Sequence, residues 1–86
     1  METALQETLR DVVVDMIRSA AAGGPDGYMS ELTQMLNALF GLDLTEDQVA
    51  AAPTSAGLTL CVELAWLAQG GTAGELEERL AALADD

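Results

Sequence analysis

The sequence predicts an all-α fold, a small bundle of four or five helices, on three observations. Apolar residues recur at spacings of three and four along most of the chain. Glycine pairs and prolines cut that pattern into segments of helical length. Half of the 86 residues are apolar, yet only Tyr28, Phe40 and Trp66 are aromatic. The core must therefore be Leu, Ala, Val and Met, which suit packed helices better than a sandwich of β-branched strands. A chain of this length forms one domain, residues 1–86, and buries only about 60% of the surface its unfolded form exposes.

Each element follows from its local pattern. A first helix is expected over residues 3–22, where Leu5, Leu9, Val12, Val13, Met16, Ile17 and Ala20 form one stripe. Gly23-Gly24-Pro25-Asp26-Gly27 stops it, because glycine accepts the left-handed cap and proline cannot continue the helix. The second helix, 28–40, sets Met29, Leu32, Met35, Leu36, Leu39 and Phe40 on one side. Asp26 or Ser30 is expected to cap its start, and Gly41 ends it. An extended link, Leu42-Asp43-Leu44, leads to Thr45-Glu46-Asp47-Gln48. That is a capping box, whose Thr and Gln side chains each satisfy an orphan amide.

The third helix is brief, 46–52, and Pro53 closes it. A fourth, 56–69, starts from Thr54 or Ser55. Leu58, Leu60, Cys61, Val62, Leu64, Trp66 and Leu67 occupy nearly its whole circumference, with Glu63 its only charge. A helix apolar all round must be covered on most sides. Gly70-Gly71 breaks the chain, and Thr72-Ala73-Gly74-Glu75 forms a second capping box. The last helix, 73–84, carries Leu76, Leu80 and Leu83 on one stripe, with Glu75 and Arg79 spaced to pair.

Composition excludes whole classes of function. Fifteen Asp or Glu stand against three Arg (Arg10, Arg18, Arg79) and no Lys, a net charge of −12. No nucleic acid and no membrane is expected as a partner, since both carry negative charge; basic protein surfaces are favoured. There is no His, which removes imidazole catalysis and His metal ligation. The single Cys61 excludes an internal disulfide and every multi-Cys motif, and fits a reducing cytoplasm. The N-terminus lacks the basic region and apolar run of a signal peptide. The most apolar stretch, 56–68, is broken by Glu63 and falls short of the roughly 20 residues of a spanning helix. A soluble cytoplasmic protein is expected.

Chemistry is hard to find in what remains. Asp43, Glu46 and Asp47 lie close, but without the alternating ligands, central glycine and closing Glu of a calcium loop. An acidic first turn that complements the helix dipole accounts for them. Cys61 lies mid-helix on an apolar surface, where a thiol packs as a small hydrophobe, and no His is present to activate it. Ser19, Ser30 and Ser55 have no basic partner in sequence. The glycine pairs lack the Lys of a phosphate loop. No catalytic residue and no metal site is expected. Trp66 and Tyr28 are of the kind that anchors interfaces, although burial between the fourth helix and its neighbours is the favoured reading of Trp66.

One longer pattern carries more. Glu31-Leu32, then Phe40-Gly41-Leu42-Asp43-Leu44-Thr45-Glu46-Asp47-Gln48-Val49-Ala50-Ala51, then Pro53-Thr54-Ser55-Ala56-Gly57-Leu58, resembles acyl and peptidyl carrier proteins. The resemblance covers residues 3–67, and its specific part lies within 31–62. It implies a carrier-protein-like bundle and 4'-phosphopantetheine attached to a Ser at the start of the second helix. Two registers are open. Counting back from Phe40 puts Asp26 at or beside that position, in Gly24-Pro25-Asp26-Gly27-Tyr28, with no hydroxyl. The other reads Gly27-Tyr28-Met29-Ser30 as a degenerate motif with Ser30 as the attachment site. The last helix, from Thr72 onward, has no counterpart in a minimal carrier.

The expected function is thus a non-enzymatic, carrier-like protein of a polyketide, fatty-acid or nonribosomal peptide system. It would dock on basic patches of partner enzymes through Glu31, Asp43, Glu46 and Asp47, with Trp66 as a further contact. The alternative is a helical interaction or assembly module with no carrier role: an adaptor, an inhibitor or a nucleic-acid mimic. The girth of helix 56–69 favours it, and with it a homodimer through that helix.

Overall fold

A computed structural model describes residues 4–84, and all of its regular structure is helical. Five helices follow one another: α1 (Ala4–Ala22), α2 (Tyr28–Phe40), α3 (Glu46–Ala50), α4 (Ser55–Ala68) and α5 (Ala73–Ala84). Thr3, expected as the first helical residue, and the terminal Asp85-Asp86 lie outside the described residues. None of the described helices is long and apolar enough to cross a membrane.

The organisation follows from α1, whose buried Leu9, Val13, Met16 and Ala20 repeat at four, three and four. It packs against α2, α4 and α5, while α3 rests on α2. Leu32, Leu36 and Phe40 of α2 meet it from one side, and Leu58, Val62 and Trp66 of α4 from another. Leu76 and Leu80 of α5 close the core. Two buried polar residues, Thr33 and Thr59, donate their hydroxyls to the carbonyls one turn back, Met29 and Ser55, each at 2.7 Å. Among the described residues no buried side-chain nitrogen or oxygen lacks a partner. The radius of gyration, 12.2 Å, equals the roughly 12 Å expected of a compact chain this long.

One cap and two helices' boundaries differ from expectation, each with a local cause. The α2 cap is neither Asp26 nor Ser30 but Gly27, in the left-handed region at φ 107, with no side-chain cap at all. Its carbonyl accepts the Glu31 N–H at 2.8 Å, and Ser30 lies inside the first turn. α3 stops at Ala50 rather than 52. The Ala52 N–H reaches the Val49 carbonyl in a tightened turn, and Pro53 disfavours helical backbone in the residue before it. α4 runs one residue earlier at both ends. Thr54 Oγ1 accepts from the Gly57 N–H at 3.0 Å, which starts the helix at Ser55. Gly70, at φ 97, ends it: the Gly70 N–H reaches the Leu67 carbonyl and the Gly71 N–H that of Trp66, a Schellman turn.

Both capping boxes form. In the first, Gln48 N–H donates to Thr45 Oγ1 (3.2 Å) and Thr45 N–H donates to Gln48 Oε1 (2.9 Å). In the second, Glu75 N–H donates to Thr72 Oγ1 (3.1 Å) and Thr72 N–H to Glu75 Oε1 (3.2 Å). The Glu75 carboxylate, expected to face Arg79, is thus directed to the helix start.

Candidate partner-docking surface

The residues singled out from sequence do not converge on one point. Asp43, Glu46 and Asp47 do come together, all exposed, on the α2–α3 link and the first turn of α3. A clamp holds them there. Asn37 Nδ2 donates to the Leu44 carbonyl at 3.0 Å, while the Leu44 N–H donates to Asn37 Oδ1 at 2.8 Å. Leu42 and Leu44 are buried on either side of Asp43, so its carboxylate is turned outward. Sequence reading missed Asn37. The available signal was a lone amide among Leu36, Leu39 and Phe40, one link away from an alternating apolar–acidic–apolar segment.

Glu31 stands at the opposite end of α2. Its carboxylate lies over Gly23, where an added Cβ would come within 3.0 Å of Oε2. It does not share a patch with Asp43, from which about 14 Å of helix separates it. Ser30 is half-buried in the first turn of α2, its hydroxyl accepting from Gln34 Nε2 at 3.3 Å.

Trp66 as a partner contact requires correction. It is only 8% exposed, packed in the core, and its Nε1–H donates to the Thr72 carbonyl at 2.9 Å. A Cβ on Gly71 would lie 2.4 Å from that ring, so only glycine fits beneath the indole. The exposed apolar residues on this helix are instead Leu60 (51%), Leu64 (56%) and Leu67 (44%). At spacings of four and three they make a second stripe, on the side of α4 away from the core.

Shallow grooves run along both flanks of that stripe. On one, Leu44 and Gln48 face Gly57, Cys61, Ala65 and Ala68 of α4. On the other, Gln6 and Arg10 of α1 meet Ala56, Thr59 and Glu63. Covering a leucine that starts fully exposed stabilises by about 1.5–3 kcal/mol. Three half-exposed leucines together offer roughly 2–4 kcal/mol, below the 4–15 kcal/mol that association itself costs. The stripe alone therefore falls short of what association costs, and a partner seated there would need contacts along the flanks as well.

Chemistry beyond binding has little material. Among the described residues no group of three or more acidic, Cys or His side chains could hold a metal ion. Cys61 is half-buried and packs against the core, on the wall of the first groove. No protein-family model, curated protein or solved structure matches this chain.

Proposed function

We propose that this chain is a non-enzymatic docking module that binds a protein partner through the outer face of α4 and the acidic link and α3 beside it. One observation carries the reading: Leu60, Leu64 and Leu67 form a solvent-facing stripe on a helix whose opposite side is already packed in the core. Exposed leucines scattered singly need no explanation, whereas three in register along one helix mark a surface meant to be covered. The rigid placement of Asp43, Glu46 and Asp47 supports it, because acidic groups held at the edge steer encounter with a basic surface.

The test is co-purification from the native cell. The wild-type chain is expected to retain a partner that a Leu60→Ser/Leu64→Ser variant loses at unchanged helicity, the pair then being reconstituted from purified components. Equal retention by both would refute the reading.

A second reading, a true carrier with 4'-phosphopantetheine on Ser30, draws on a separate observation. The half-exposed Ser30 hydroxyl lies one residue from Met29, which lines an apolar cleft with Ile17, Leu32, Val49 and Leu58. Incubation with coenzyme A and a broad-specificity phosphopantetheinyl transferase should then add one arm to the intact mass, and Ser30→Ala should abolish the gain. An unchanged mass on folded protein would dispose of the carrier role and leave the docking role standing.

A further inference from the structure

We propose that the outer face of α4 receives a single amphipathic helix from a basic partner, laid lengthwise along Leu60, Leu64 and Leu67. This rests on the docking function above and names its occupant. The intervals of four and three are those at which one helix presents a seam to another. From Gly57 to Ala68 the face runs about 17 Å, the length of three helical turns. Gly57, Ala65 and Ala68 are small, so the groove between the stripe and Leu44 is open to side chains from the opposing helix.

Charge selects between a foreign helix and a second copy. A two-fold antiparallel pairing about the middle of the stripe sets Glu63 beside Glu63 of the second copy, on the same edge of the seam. It also brings together two chains of net charge −12. A helix flanked by Lys or Arg reverses both terms. On one edge it meets Glu63, which shares its groove with Arg10 of α1; on the other, Gln48 lines the groove and the exposed Glu46 and Asp47 precede it on α3, so the acidic complement lies mainly on the α3 side. The occupant is therefore a basic amphipathic helix.

Three synthetic peptides of about 14 residues, long enough for three turns with frayed ends, test this. One carries Leu on a single helical stripe with Lys elsewhere, one replaces Lys by Glu, and one scrambles the first. On titration into the isotopically labelled chain, the Lys peptide should bind with amide shifts confined to residues 44–48 and 56–68. Its affinity should fall at least about tenfold in the Leu60→Ser/Leu64→Ser variant. The Glu and scrambled peptides should bind at least about tenfold more weakly than the Lys peptide.

Comparable binding by either control peptide, shifts away from α4, or no binding of the Lys peptide would each overturn the proposal. So would a sedimenting dimer that dissociates in the variant, which would name a second copy as occupant and leave the docking role intact. Failure of the docking role is read separately, from co-purification.

Discussion

The inner and outer faces of α4 are built from nearly the same residues and meet opposite fates. Leu58, Val62 and Trp66 lie in the core, while Leu60, Leu64 and Leu67 stand about half in water. Residue type does not separate the two sets. Geometry does: α1 packs against the Leu58, Val62 and Trp66 side of α4, whereas the other side is met at its flanks by Gln6 and Arg10 of α1 and by Leu44 and Gln48, which leave the three leucines about half exposed. Hydrophobicity thus gives two apolar surfaces on one helix, one buried by the fold and one left exposed.

Substitutions on each face sharpen that contrast. Trp66→Ala should have the largest effect, a loss of about 3–5 kcal/mol in urea unfolding, since it empties a large core site and leaves the Thr72 carbonyl without its donor. A loss under about 1 kcal/mol would mean that the inner face is not what holds α4. Gly71→Ala attacks the same packing from the other side. The new Cβ must displace the indole, and a cost of about 1–3 kcal/mol is expected in the same experiment.

Asn37→Ala removes the clamp beneath the acidic link, with an expected cost of about 1–2 kcal/mol and faster amide exchange at Leu44. Leu64→Ser should change stability by no more than about 0.5 kcal/mol, because its side chain already meets water. Partner binding should nonetheless drop. If Leu64→Ser instead destabilised the chain as much as Trp66→Ala, the two faces would not be distinct.

The contrast also marks how far the sequence could be read. Both capping boxes and the glycine stops were legible because three or four neighbouring residues decide each, and the α1 stripe because its spacing of three and four repeats along the whole helix. The α2 start at Tyr28 was legible too, but its cap was not, since Gly27 in the left-handed region stands where a polar side chain was expected and offers no side-chain bond. Nor was the buried side of α4. A helix apolar all round carries no periodic signal to orient it, and the choice is made by α1 and by an indole N–H that must find an acceptor across the α4–α5 turn. Trp66 suited both a partner contact and the core because aromatic residues serve both roles; its burial and its bond to the Thr72 carbonyl place it in the core. Of the proposed docking surface, the acidic residues were visible and the leucine stripe was visible only as girth.

The position of Trp66 has a practical consequence. It is the chain's single tryptophan, seated where α4 hands over to α5, its ring against Gly71 and its N–H on the Thr72 carbonyl. Its fluorescence is therefore a label-free gauge of whether α5 is docked. Excited at the indole, the protein should emit toward the blue when folded, shift to the red as the α4–α5 corner opens, and hold its colour when a ligand settles on the far side of α4.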